Sequence, residues 1–549
     1  MSSGPSPLLQ PNCLRLLRRA SRAHESGDLA KAERFYNALL RYQPGNFEAL
    51  HGLGRLHFQR GRFDTALVLI QSALRNDAGR AEGFSSLGLV FHVLRRFDEA
   101  LLSYDEGLAL DPDNIGLLNR RGVALLDLGR PLAALASFQR VLAADPRHLD
   151  ALGNYGNVLI KLNRPEEAMA AYDRALLVAP ENAQLLTNRA VALRRLDRPR
   201  EALMSASRAL VSQPGFAQAR FVESVARLTL GDFAAGWRGY EARWQVGLLA
   251  SQRRAFTAPL WLGQETPKLS LDGKTILLHA EQGFGDTIQF VRYAPLLVRC
   301  GAKKILLEVQ RELAPLLSCI AGVDAVIARG QALPAFDMHC PLLSLPLAFA
   351  TEQTTIPAGA PYIVPPGEKI SAWRNRMPRR RPLVGLTWSG DRGHDNDLNR
   401  SINLETLRSL LDLPDVAFVS LQHDVRERDL PILRQLPNVF SIEPKFRDFA
   451  DTAAAVSLLD AVVAVDTAVA HLAAAMGKPL LLLLPFAADF RWLRERQDSP
   501  WYPTARLYRQ AKFGDWQGAI GALRQDLVRL TVEWLGAANG SPVAQKRSA

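Results

Sequence analysis

Alanine recurs at one fixed step through the first part of the chain. Ala32, Ala66, Ala100, Ala134, Ala168 and Ala202 are each 34 residues apart. Pro44, Pro112, Pro146, Pro180 and Pro214 fall twelve residues after their alanines, and Gly54, Gly88, Gly122 and Gly156 twelve before theirs. Tyr36, Tyr104, Phe138 and Tyr172 fall four after. Chance does not hold one step through six units. A single unit of this size cannot bury its apolar faces, whereas a stack of units can.

A period of 34 with small, aromatic and proline punctuation is the tetratricopeptide pattern. Each unit reads as two amphipathic helices. The glycine and alanine lie where the helices cross, because only small side chains permit a close approach. The proline cannot continue the second helix and helps to end the unit. The region 13–247 holds six such units, to about residue 216, and a degenerate seventh with Gly231, Trp237 and Trp244. The extra aromatics of the seventh suggest a cap packed on whatever follows. Such superhelices present a concave groove, usually for peptides, so a peptide or protein partner is expected. Asn154 and Asn188 occupy the same place in consecutive units, with Asn157 one turn on. A side-chain amide can pair both donor and acceptor with an extended peptide; two solvated asparagines are the competing reading.

Composition narrows the class. Hydrophobic residues are 48% and charged residues 22% of 549, which is globular and not disordered. The longest leucine run, Leu480–Leu484, is far short of the roughly 20 apolar residues of a membrane span. The first residues have no sustained apolar core and make a poor signal peptide. Cys13, Cys300, Cys319 and Cys340 show no CxxC spacing, which speaks against a disulfide framework and a thiolate zinc site. A reducing cytoplasm is therefore expected. The net charge of +12 suits an anionic partner. The arginines are dispersed apart from Arg379–Arg381, so nucleic acid is not expected.

Residues 248–272 lack periodicity and read as a linker. Short β-rich runs then alternate with helical stretches, which indicates βα units around parallel sheets. Thr275–His279, Lys304–Val309 and Ala325–Ala328 are strands of a first Rossmann-like half over 273–365. Residues 366–381, which end in the basic cluster, form a second linker. Leu383–Thr387, Val416–Leu421, Val439–Ile442, Ala461–Val465 and Leu480–Leu484 are strands of a second half over 382–536. A helix near Asp515–Leu535 and a loose tail, 537–549, complete the chain. The α/β part is expected to carry its own cores and to survive removal of residues 1–245.

Two loops have the residues for an active site. Glu281–Asp286, EQGFGD, leaves a strand and enters a helix. Gly283 and Gly285 let the backbone turn tightly beside a ligand. Asp286 suits either a helix cap or a general base at a cleft mouth, with Glu281 and His279 as alternative bases. In the second loop, AVDTAVAHLAAAMGKP, a strand ends in Asp466 and Thr467 can cap an alanine-rich helix. His471 lies on the same face one turn in. The positive helix end and its free N–H groups suit an anion. Asp466 and His471 have no evident third ligand for a metal.

The second series resembles the C-terminal half of the bacterial heptosyltransferases, glycosyltransferase family nine, which have a two-Rossmann GT-B fold. The family's D-[ST]-[GA]-x-x-H-x-A-x-A-x-G-x-P loop is similar to Asp466, Thr467, Ala468, His471, Ala473, Ala475, Gly477 and Pro479. The resemblance implies that this loop binds a nucleotide diphosphate sugar. Gly285-Asp286 resembles the family's G-D element, whose aspartate is the proposed base. Two departures stand out: HAEQGF lacks the usual basic residue, and TWSGDRGHDNDLNRSI replaces a glycine-rich lysine segment. Arg400 can take the place of that lysine as a bidentate phosphate contact. Trp388, Ser389 and Gly390 can line the base or sugar pocket, and Gln422 can bond a ribose or base; packing and turn roles are equally open. The resemblance covers about 273–536. In layout alone, the whole chain is similar to the protein O-linked N-acetylglucosamine transferases.

The expected molecule is an α-helical superhelix of repeats followed by an α/β GT-B domain. The expected activity is inverting, metal-independent transfer from a nucleotide diphosphate sugar to a protein or glycan acceptor, with no cofactor. The rival is a scaffold whose enzyme-like half only binds.

Overall fold

The computed structural model describes residues 11–380, 382–442 and 446–538. The first ten residues and residues 539–549 of the expected tail lie outside the described residues, as does Arg381 of the basic cluster.

The repeats form seven antiparallel helix pairs. The first is Pro11–Glu25 with Leu29–Tyr42, the fourth Ile115–Asp127 with Pro131–Ala144, the fifth Leu149–Lys161 with Pro165–Val178. The sixth is Ala183–Arg195 with Pro199–Ser212, and the seventh Ala217–Thr229 with the shorter Phe233–Tyr240. All six periodic alanines are fully buried. The glycine requirement is steric: a Cβ on Gly122 would lie 2.6 Å from the Phe138 ring. The period thus records one crossing, repeated.

The chain divides into two compact units, residues up to Arg189 and residues from Ala190 onward. The boundary falls inside Ala183–Arg195, well before the repeat pattern ends. In the second unit, Val225, Leu228, Phe233, Trp237 and Tyr240 share one hydrophobic core with Ile276, Phe290, Phe490 and Trp501. The expectation that the α/β part has self-contained cores holds for the cluster of Val384, Leu386, Phe418 and Leu527, which draws on the second half alone, and is corrected for the larger core shared with the seventh repeat. A cut at residue 245 would remove core side chains. It would also remove Arg243, which is fully buried and bonds both oxygens of Glu281 at 3.0 and 3.1 Å. The expected capping role of the seventh repeat is met.

Residues 248–272, expected as a linker, are partly built into this unit. Trp261 is buried, its N–H donates to His339 O at 2.9 Å, and Phe256 packs edge-on to His279 and His339.

Two parallel sheets follow. The first contains β1 (Thr275–His279), β2 (Lys304–Val309), β3 (Ala325–Ala328) and β4 (Met338–Pro341), in the order β3-β2-β1-β4. The second contains β5 (Leu383–Thr387), β6 (Ala417–Ser420), β7 (Val439–Ser441), β8 (Ala461–Val465), β9 (Leu480–Leu484) and β10 (Ala505–Arg509). Its order is β10-β9-β8-β5-β6-β7. β4 and β10 are absent from the sequence reading. The helix that EQGFGD enters begins inside that motif, as Phe284–Phe290, and continues through a tight turn into Ala294–Arg299. Every residue of β5, β8 and β9 is buried, as parallel strands covered on both faces must be.

Candidate active site

The two glycine- and alanine-rich loops meet. A Cβ on Gly285 would lie 2.8 Å from His471 Cδ2 and 3.6 Å from Ala468 Cα. Only glycine permits this approach of the helix Phe284–Phe290, following β1, to the helix Ala468–Ala475, following β8. Asp286, Asp466, Thr467, Ala468, His471 and Gly285 are thereby brought together.

Asp286 is both cap and ion-pair partner. Its Oδ2 accepts from the Gly283 N–H at 2.9 Å, and its Oδ1 accepts from Arg491. Arg491 also donates to Asp489 at 2.7 Å, and its guanidinium lies 4.5 Å from the centre of the Phe490 ring. Burial opposes the Arg491 charge, but Asp489 and then Asp286 outweigh it and hold its pKa above the ordinary value. Burial likewise opposes the Asp489 charge, and Arg491 reverses that, so Asp489 ionises more readily than usual. Sequence reasoning missed Arg491 and Asp489. Their signal was a charged and aromatic run, Asp489-Phe490-Arg491-Trp492, soon after a strand end.

Asp466 sits deeper. Burial first, and then Asp489, push its pKa up to about 6, against the pull of Arg400 and Arg491. Arg400 donates to the Asp466 backbone oxygen at 3.1 Å and lies against Gly390, where a Cβ would come within 2.6 Å of its guanidinium. The Arg400 Nε is buried without a partner among the described residues.

His471 is not an exposed ligand-binding group along its whole ring. It is buried and stacked on Trp492 with ring centres 5.3 Å apart. Its Nδ1 is 2.9 Å from Tyr502 OH, and its Nε2 is 3.7 Å from Asp466 Oδ1. Burial and then Arg491 lower its pKa to about 3, so the ring is neutral at physiological pH.

Thr467 holds the cap position of Ala468–Ala475 but makes no side-chain cap. Its hydroxyl donates back to Val465 O at 3.2 Å, which corrects the expected cap and leaves the first N–H groups without a side-chain acceptor.

Trp388 and Gln422, after β5 and β6, take the packing and turn roles of their two open readings. The Trp388 indole is fully buried and donates to Asp429 at 2.9 Å, so it builds core and does not line a pocket. Gln422 accepts from the N–H groups of Trp388 and Ser389 and donates to Ser389 O at 2.9 Å. Its amide thus shapes the Trp388–Gly390 turn, the alternative that stood beside a ribose or base contact. The Gly390 N–H donates to Ser401 Oγ at 2.9 Å. The Ser389 hydroxyl is buried without a partner among the described residues. The alternative bases are also engaged elsewhere. Glu281 is bound by Arg243, and burial pushes its pKa up to about 7 despite that pairing. His279 is buried, 3.2 Å from His339, and its pKa is lowered to about 3 by burial and by that neighbour.

In the first unit, the groove asparagines bond one another. Asn188 donates to Asn157 Oδ1 at 3.0 Å, Tyr172 OH donates to the same oxygen at 2.8 Å, and Asn154 donates to Asn119 at 3.4 Å. They link adjacent repeats and are half-buried, which favours neither solvated residues nor preformed free peptide ligands. A cavity of about 430 Å³ lies earlier in the array, lined by His51, Arg55, Gln59, Glu82 and Arg120.

Among the described residues, no three His, Cys, Asp or Glu side chains converge as a metal site, and no helix is long and apolar enough to cross a membrane.

Residues 23–87 and 125–192 match the tetratricopeptide repeat model, and residues 418–485 match the glycosyltransferase family 9 (heptosyltransferase) model. The latter match spans β6 to β9 and contains the whole Asp466–Pro479 loop. Protein FlbA of Caulobacter vibrioides is 25% identical over 329 residues, which are 56% of this chain and 54% of that protein. The chain thus spans about half the length of the curated relative it matches. A tetratricopeptide repeat protein from Parabacteroides merdae is 17% identical over 42% of this chain and 92% of its own, with a TM-score of 0.37. PilW, a type IV pilus biogenesis factor, is 18% identical over 39% of this chain and 99% of its own, also with a TM-score of 0.37.

Proposed function

We propose, for a chain that joins tetratricopeptide repeats to a glycosyltransferase family 9 domain, that it moves a sugar from a nucleotide diphosphate donor to an acceptor hydroxyl. The observation that carries this is the seating of Gly285 on His471 and Ala468, which sets the Asp286 carboxylate beside an uncapped helix start. The acceptor oxygen attacks the anomeric carbon as the bond to the diphosphate oxygen breaks, with inversion. Asp286 takes the hydroxyl proton. The N–H groups following Thr467, the positive end of that helix and Arg400 stabilise the departing diphosphate, a role that needs no metal. Gly283 and Gly285 let the loop approach the sugar, and Asp466 and His471 bound the pocket floor. The repeats recruit the acceptor, protein or glycan, or a partner protein, and the setting is cytoplasmic.

A second reading, a sugar-nucleotide-binding scaffold without turnover, is favoured by one observation. Both oxygens of Asp286 are already engaged, one by the Gly283 N–H and the other by Arg491. Calorimetry with a panel of nucleotide sugars, together with assays of their hydrolysis and transfer, separates the two. Binding with turnover supports the transferase. Tight binding with no turnover, whatever acceptor is offered, supports the scaffold.

A further inference from the structure

The sixth repeat reaches the α/β domain at its first inter-helix turn. Arg194 and Arg195 form the basic last turn of Ala183–Arg195. Arg195 donates to the backbone oxygen of Asp395 at 3.3 Å, in the loop that leads to Arg400. Asp197, held at φ +51°, receives Arg494 through both carboxylate oxygens at 3.0 to 3.2 Å. Arg494 closes the segment that carries Asp489 and Arg491. That segment is also packed from the seventh repeat, where Trp237 and Tyr240 lie edge-on to Phe490 at 5.7 and 6.0 Å. Arg194 is therefore fixed between two clamps, one to each loop bordering the site.

Its own guanidinium has no hydrogen-bond or ion-pair partner among the described residues, although it is half-buried. Burial lowers its pKa, and Asp489 is the largest influence in the opposite direction. An arginine stays charged under such a shift. A partly desolvated cation without a partner is costly unless a ligand supplies the anion.

The charges around it point to the same conclusion. Asp286, Asp466 and Asp489 face Arg400 and Arg491, and Arg491 is already engaged by two of the three carboxylates. A diphosphate would add further negative charge to this group, and the planar fork of Arg194 matches two phosphate oxygens.

We propose that Arg194, supplied by the sixth tetratricopeptide repeat, binds the donor diphosphate in the α/β domain. This rests on the nucleotide-sugar reading above, and it makes the repeat array part of the donor site as well as a recruiter.

The test uses the full chain with Arg194→Met and Arg194→Lys, and Arg200→Met as an exposed control that removes the same charge. UDP, GDP, ADP and inorganic pyrophosphate are titrated calorimetrically at two salt concentrations, and melting midpoints are measured alongside. For any probe the wild type binds, Arg194→Met is expected to weaken binding about 10- to 100-fold, the usual loss of a charged hydrogen bond. Its salt dependence should flatten, Arg194→Lys should recover part of the affinity, and Arg200→Met should bind like the wild type. Without ligand the melting midpoint of Arg194→Met should not fall, because Arg194 has no protein partner to lose and its desolvation is relieved. Wild-type affinity in Arg194→Met would overturn this proposal and leave the transferase reading standing. A loss shared equally by Arg200→Met would overturn it as a bulk charge effect. A wild type that binds none of the four probes would overturn both.

Discussion

Trp237→Ala tests whether the last repeat and the α/β domain are one folding unit. The Trp237 indole is only 2% exposed and contacts four rings edge-on: Phe233, Tyr240, Phe290 and Phe490, at 5.7 to 6.2 Å between centres. Phe290 ends the helix that carries Asp286, and Phe490 precedes Arg491. Burying a side chain of roughly 200 Å² at about 25 cal/mol per Å² is worth about 5 kcal/mol. Measured aromatic-to-alanine changes in cores cost about 3–5 kcal/mol. A loss of about 3–5 kcal/mol is expected in urea unfolding of the full chain, from the transition that reports the α/β domain. The far side of the cavity borders the Asp286–Arg491 pair, so nucleotide binding should weaken as well. Trp237→Phe should recover more than half of the stability. If Trp237→Ala shifts only the transition of the repeats, or costs under about 1 kcal/mol, the shared core is not an energetic unit and the reasoning fails.

Other outcomes follow from the site. Asp286→Asn keeps an oxygen for the Gly283 N–H but cannot take a proton, so donor binding should persist while transfer falls about 10²–10⁴-fold; near-normal turnover would remove Asp286 as base. His471→Ala should lower both nucleotide affinity and the melting midpoint, since the ring is stacked on Trp492 and bonded to Tyr502; a change in affinity alone would contradict its burial. Asp466 has a raised folded pKa, so its stabilising contribution is complete below about 3.8 and lost as pH rises through about 6. Asp466→Asn should therefore gain up to about 3 kcal/mol relative to the wild type between pH 4 and pH 7, as read by denaturation at each pH. Asn157→Ala removes the shared acceptor of Tyr172 and Asn188 and should cost about 1–2 kcal/mol in the repeats; an unchanged midpoint would mean that the inter-repeat bonds contribute nothing.

What could be read from the sequence follows what each element buries. The repeats were legible because each crossing demands the same small residue. β1, β5, β8 and β9 were legible because interior parallel strands give unbroken apolar runs. β4 and β10 were missed for their composition and not for their edge position, which β3 and β7 share. Met338–Pro341 is short and ends in proline, and Ala505–Arg509 interleaves arginines with apolar residues, as an edge permits. Of the site, the Asp466–His471 and Gly283–Asp286 loops were legible as loops. The opposing charge, Arg491, was not, since it comes from 205 residues further along the chain than Asp286. The amide of Gln422 looked available because a sequence does not show that the turn after β5 needs it. Thr467 looked like a cap for the same kind of reason: its alternative acceptor, Val465 O, is set by the strand exit.

The boundary inside Ala183–Arg195 also sets the direction in which such an array can change length. A helical solenoid leaves an apolar face open at each end, and that face needs a cover. Here the covering is done at one end by Phe290, Phe490 and Trp501, which are side chains of the α/β domain. Units can be gained or lost by duplication ahead of that end, one 34-residue step at a time, without touching a residue of the site. Insertion of a unit between the sixth and seventh repeats would separate Asp197 from Arg494, and Arg194 from the cleft. Variation in repeat number is therefore confined to the N-terminal side, and the last two repeats are constrained together with the α/β unit.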